Sequence, residues 1–245
     1  MSAPATPAQG RPEPRAAALP PDWPAASNDR AFRAAAAIVK PLMRAWFRVS
    51  VSGAEHVPAS GPAIVAANHR SNLDPVLAAL VTDRPVYYMA KRELFRGPLG
   101  VFMRAIGQFP VNRGGADREA LQAASRVIER GAILGLFPEG SRCDGRFEQI
   151  HPGLAFIVLR SDAPVVPVAI LGSERIRRRL GWLPGATKVR ILVGPPLDLP
   201  KAQPGRTGRR EAAAHLHQTL RDFIAERDPV DDQVDDQVDD QVDAP

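Results

Sequence analysis

His69 and Asp74 stand five positions apart in the stretch "NHRSNLDP", directly after the apolar run "PAIVAA". An imidazole whose Nδ1–H is held by a carboxylate has its tautomer fixed and keeps Nε2 free to act as a base. On a continuous helix, five steps separate two side chains by about 140°, so these two would point apart. Pairing therefore requires His69 to lie in a loop and Asp74 to open a helix. Asp followed by Pro is a helix-start signal, with the carboxylate as N-cap, and "VLAAL" continues the helix. The expected geometry gives one Asp74 oxygen to His69 and the other to the helix end.

A base needs a nucleophile to activate, and the chain offers no clear one of its own. There is no Gly-x-Ser-x-Gly elbow, and Cys143 is the only cysteine. The five histidines are scattered, and His215 and His217, two apart on a helical pattern, face different directions. No metal site is expected from them. A His–Asp pair without a protein nucleophile suggests that a substrate hydroxyl is deprotonated and attacks an activated acyl group. A thioester is the natural donor, because its thiolate leaves with little acid help. Cys143 offers a rival route through an acyl-cysteine.

Two further stretches follow apolar, strand-like runs. In "FPEGSR", Glu139 and Arg142 flank a Gly140–Ser141 turn. Backbone N–H groups and Arg142 there can hold a phosphate, while Glu139 positions a hydroxyl or orders nearby cations. The same residues also read as a surface turn with a local ion pair. "GQFPVNR" ends in Arg113 and carries the same two readings.

The elements that must position these residues alternate between apolar runs and helical patterns. "AIVAAN", "VYYMA", "QFPV", "AILGLF", "VVPVAIL" and "KVRILVG" read as strands. Helices are expected from Asp74, in "GPLGVFMRAIG", in "DREALQAASRVIERG" with Leu121, Ala124 and Ile128 on one face, in "GLAFIVLRSD", and in "GRREAAAHLHQTLRDFIAE". The expected fold is α/β: a single domain with a largely parallel or mixed sheet flanked by helices. Ligands in such sheets bind beyond the carboxyl ends of the strands, where His69, Arg113 and Glu139 all fall.

Three segments are expected. Residues 1–27 hold seven prolines and read as disordered. Residues 28–227 form the domain, opening at 28–50 with an amphipathic, basic helical segment broken or kinked at Pro41. Residues 228–245, with the repeat "DDQVDDQVDDQV", form an acidic low-complexity tail.

That tail contains eight Asp and no Lys or Arg, leaving 32 basic against 19 acidic residues elsewhere, a net +13. A body so basic suits an anionic partner: a phosphate-bearing substrate, an anionic membrane surface or nucleic acid. The arginines 175, 177, 178 and 179 beside Trp182, in "ERIRRRLGWLPG", support a non-catalytic binder as the competing class. A single cysteine suits a reducing compartment, and neither a secretory leader nor an apolar run of about 18 residues is seen.

Taken together, the blocks resemble the glycerolipid acyltransferase family, specifically the 1-acylglycerol-3-phosphate acyltransferases. The hallmark His, four residues, then Asp is matched by "NHRSNLD". The aromatic–x–x–Arg block is matched by "GQFPVNR", and the Phe-Pro-Glu-Gly-Ser/Thr-Arg block by "FPEGSR". A proline inside an apolar strand is matched by "VVPVAI" around Pro167. One departure is His151 in "HPG", where many members have a basic residue.

The resemblance implies a His69 base with Asp74 as its partner, and a phosphate contact at Arg113. It carries the family's Glu–Gly pair onto Glu139 and Gly140, with Ser141 and Arg142 beside them. It implies acyl-CoA or acyl-carrier protein as donor and the sn-2 hydroxyl of lysophosphatidate as acceptor, with another lysophospholipid or a glycerol phosphate as the alternative, and no cofactor, no metal and no nucleic acid. The expected location is cytoplasmic and peripheral, on the inner face of the cell membrane. Members of the family do not rely on a cysteine beside the third block, which counts against Cys143.

Overall fold

The computed structural model describes residues 19–20, 23–112, 117–139, 152–177, 187–199 and 206–228. Along them run α1 (Ala26–Trp46), β1 (Arg48–Ser52), β2 (Ala63–Ala67), α2 (Asp74–Ala78), β3 (Val86–Lys91), α3 (Gly97–Ala105) and β4 (Phe109–Val111). There follow α4 (Arg118–Glu129), β5 (Ile133–Leu136), α5 (Pro152–Arg160), β6 (Val165–Leu171), β7 (Lys188–Val193) and α6 (Arg206–Ala225). Short 3-10 turns join several of them.

All five residues of β2 are buried, as are all seven of β6 and all four of β5. Continuous apolar strands of this kind are covered on both faces, and the sheet order β1-β7-β6-β2-β5-β3-β4 places them centrally. Neighbours are parallel throughout except β6 and β7. The sheet is therefore mixed, with β6, β2, β5, β3 and β4 ending on one side. Alternate residues divide the core. Ile64, Ala66, Tyr87, Leu134 and Leu136 pack with α4, α5 and α6, whereas Ala63, Val65, Ala67, Tyr88 and Ile133 pack with α1 and α2.

Pro167 lacks an N–H yet sits inside β6. Its carbonyl accepts from Gly194 N–H at 2.9 Å, on the side where β7 has just ended at Val193. The missing donor thus falls beyond the ladder, where no partner is needed.

Four expectations need correction. The segment expected to be helical through residue 50 turns into a strand at Arg48, where "RVSVS" alternates exposed and half-buried positions and pairs with β7. The helix is continuous through Pro41. It is fastened on both sides of the proline: Phe32 and Phe47 are buried, and Lys40 Nζ reaches the Thr82 carbonyl and the Asp83 carboxylate.

Trp23 falls in the stretch expected to be disordered, yet is buried against Phe109 and Tyr87, with ring centroids 5.0 and 6.2 Å away. On α4 the buried seam is Ala120, Ala123, Ala124 and Val127, with Leu121 and Ile128 at its margins. Small residues there let the helix approach the sheet closely. Gly131 ends α4 as expected, at φ +74°, with its N–H on the Ile128 carbonyl and the Ala132 N–H on the Val127 carbonyl.

Candidate active site

β2 leaves the sheet after Ala67. The next side chain, Asn68, is fully buried; its amide donates to the Ile170 carbonyl at 3.0 Å and accepts from the Ile170 N–H at 2.7 Å. His69 then begins a loop that runs to Leu73, and Asp74 is the first residue of α2. A helix of five residues has no stability of its own. It is held by the burial of Leu77 and Ala78 and by the bonds of its first side chain.

Those bonds differ from the expected cap. Leu73 occupies the N-cap position without a side-chain bond, and Pro75 lies in the first turn. The Asp74 carboxylate turns back over the loop instead. Its Oδ2 lies 3.0 Å from His69 Nδ1 and accepts from the backbone N–H groups of Arg70 and Ser71, each at 2.6 Å. Among the described residues, Oδ1 is buried without a partner. The carboxylate thus closes the loop and does not cap the helix. A carboxylate already receiving two N–H groups acts as an acceptor, so Nδ1 carries a proton and, in the neutral ring, Nε2 the lone pair.

The ring of His69 is held on its face as well. It stacks on Phe137 with centroids 4.4 Å apart and planes at 29°, and Phe137 stacks in turn on Tyr88 at 5.6 Å and 20°. Gly135 makes the space: a Cβ there would fall 1.9 Å from a Tyr88 ring carbon. Burial pushes the Tyr88 hydroxyl far up from its ordinary pKa, so this ring stays neutral. The His69 side chain is 12% exposed, open enough for one edge of the imidazole to meet a ligand.

Parallel pairing of β2 with β5 puts Val65 opposite Gly135 and Ala66 opposite Leu136. The residues just past both strands therefore face each other. Glu139 Oε2 accepts from the His69 backbone N–H at 3.4 Å. Of the sequence-predicted site residues, the structure brings His69, Asp74 and Glu139 together. Arg113, Gly140, Ser141 and Arg142 lie outside the described residues, as do Cys143 and His151.

Three participants were not singled out from the sequence. Asn68 and Phe137 stood inside quoted stretches without an assigned role. Arg70, 11% exposed, reaches Asp228 at 2.5 Å and Glu174 at 3.8 Å, so the end of α6 and the turn after β6 both meet the residue following His69. No local signal announces a pair 158 positions apart.

The arrangement can take a proton at Nε2 from a hydroxyl presented at the carboxyl ends of the strands. Comparison with known proteins places the chain among relatives. The chain is 27% identical over 187 residues to the 1-acyl-sn-glycerol-3-phosphate acyltransferase of Bacillus subtilis, covering 76% of this chain and 90% of that protein. An uncharacterized protein of Mycobacterium bovis is 33% identical over 172 residues, covering 64% of this chain but only 46% of its own length.

Among solved structures, the 1-acyl-sn-glycerophosphate acyltransferase PlsC of Thermotoga maritima shares the fold at a TM-score of 0.56. It is 23% identical, and the match covers 78% of this chain and 79% of that one. The family model described as Acyltransferase matches residues 48–171, from the start of β1 to the end of β6 and so through His69, Asp74 and Glu139. This chain belongs to the acyltransferase family.

Proposed function

We propose that the protein transfers a fatty acyl group from acyl-CoA or acyl-carrier protein to the free sn-2 hydroxyl of 1-acylglycerol 3-phosphate, giving phosphatidic acid. The observation that carries the reading is the 3.0 Å contact between His69 Nδ1 and a buried carboxylate that also holds the loop. Nε2 takes the hydroxyl proton as the oxygen attacks the thioester carbonyl. The carbon–sulfur bond then breaks, and the imidazolium returns its proton to the departing thiolate. Arg113, Arg142 and the backbone of Gly140–Ser141 hold the acceptor phosphate, and Glu139 steadies the loop beneath it.

Thiol release from acyl-CoA, measured with and without lysophosphatidate, tests this reading, with the lipid product identified by mass. Release that depends on the acceptor and yields phosphatidic acid supports it. Vesicle binding without thiol release supports the basic binder instead. Replacing Arg113 or Arg142 should raise the acceptor KM by about tenfold or more, as loss of a charge-assisted contact does. An unchanged KM in both variants removes them from the phosphate site.

The same reading places the enzyme peripherally on an anionic bilayer, at the inner face of the cell membrane. Among the described residues, no helix is long and apolar enough to cross a membrane. On α1, however, Ile38, Leu42 and Trp46 are spaced four apart and are 70%, 48% and 37% exposed. Leu99, Val101 and Phe102 are exposed on α3, which is joined to α1 through Asn28 and the carbonyls of Arg104 and Ala105. Arg44 stands in the last turn of α1 and Arg104 in that of α3. Apolar side chains beside cations suit a lipid surface with anionic headgroups. Changing Ile38, Leu42 and Trp46 together to serine should lower affinity for anionic vesicles by about tenfold or more. Binding at the original strength would mean that another face meets the lipid.

A further inference from the structure

We infer that Asn68 is a positioning residue for the transfer, acting through His69. The inference rests on the reading of His69 as the base and assigns a role to the residue before it. β6 is longer than β2. Their paired register ends at Ala67 opposite Val168, while β6 continues through Ile170 to Leu171. Ile170 turns its N–H and carbonyl toward the place where β2 would have continued.

Left alone, those two buried groups would have no partner. The Asn68 amide meets both at once, its oxygen on the N–H and its nitrogen on the carbonyl. The side chain thus substitutes for one more step of strand. The main chain can leave the sheet at that point without orphaning β6, and it leaves in a defined direction. His69 is the first residue so directed. Its reach to Asp74 and its stack on Phe137 both depend on that exit. A carboxamide offers a donor and an acceptor together in this plane at any pH; leucine of similar size offers neither.

A second buried amide serves as an internal control. Gln108 accepts from the Tyr88 N–H at 2.7 Å and donates to the Val86 carbonyl at 3.2 Å, bracing β3 rather than the loop that carries His69. Loss of either amide should cost a comparable fall in Tm. Only Asn68→Leu should also lower kcat, by about 10- to 100-fold, because small misplacement of a reacting group has effects of that size. The acceptor KM should stay within about threefold, since the phosphate contacts lie elsewhere.

A readout independent of turnover is the downfield proton resonance of His69 Nδ1–H bonded to Asp74. It should be present in the native protein and in Gln108→Leu, and absent in Asn68→Leu. If Asn68→Leu keeps that resonance, or lowers kcat no more than Gln108→Leu does, the amide only supports the sheet and the inference fails.

Should Asn68→Leu not fold, Asn68→Asp carries the same test. A protonated carboxyl supplies both donor and acceptor, so the resonance should match the native protein at low pH. It should vanish relative to the native protein as the carboxyl ionises and loses its donor. A resonance that follows the native protein at every pH overturns the inference. Full activity in His69→Ala is a different failure, because it removes the base itself.

Discussion

His69→Ala should lower kcat by about 10² to 10⁴, the usual contribution of a positioned base, while the acceptor KM changes little. The substitution removes the proton acceptor and leaves its surroundings standing. Asp74 still receives the N–H groups of Arg70 and Ser71, so the loop keeps two of the three bonds that hold it to Oδ2. The ring contact with Phe137 is lost, which costs about 1 kcal/mol. Steady-state thiol release, set beside a melting curve, separates the two effects. Wild-type turnover in this variant would dismiss the mechanism outright.

Asp74 should show its two duties in two different variants. In Asp74→Ala, three donors lose their acceptor where the side chain had been fully buried. Each stranded donor costs about 1–3 kcal/mol, so a loss of about 3 kcal/mol or more is expected. That corresponds to a fall in Tm of about 6–12 °C for a domain of this size. In Asp74→Asn, an oxygen in the Oδ2 position still takes all three donors and the NH₂ falls where Oδ1 was, but the negative charge beside the imidazole is gone. The imidazolium that forms when Nε2 takes a hydroxyl proton then lacks its counter-charge. Turnover should fall by about 10² or more, as for loss of the base, with much less loss of stability than in the alanine variant. Near-normal turnover in Asp74→Asn would mean that the charge of the carboxylate does not matter.

What could be read in advance, and what could not, follows from how far each interaction reaches along the chain. The pairing of His69 with Asp74 was legible because one short loop joins them, and because Asp-Pro announces a helix start. The strands were legible as apolar runs, and their carboxyl ends located the site. The role of Asn68 was not legible, since its partner Ile170 is 102 positions away. Neither were the loop N–H groups that draw Asp74 away from the helix end, because backbone donors leave no mark in the residue code.

Trp23 was masked by the prolines around it, although one buried indole outweighs the composition of its neighbours. β1 was missed because no glycine or proline separates it from α1 and its alternation spans only five residues. Asp228 was assigned to the acidic tail by composition, although its carboxylate belongs to the folded domain.

The contact of Asp228 with Arg70 also bears on how the molecule can be handled. α6 spans twenty residues, and the turn just after it delivers Asp228 to the side chain beside the imidazole. Trimming at residue 227 would release one arm of that guanidinium and leave Glu174, at 3.8 Å, as the other. A purification tag or fusion partner joined shortly after Asp228 would be moored beside the reacting groups, so assay kinetics should be compared between left-hand and right-hand attachment before any rate is taken as native.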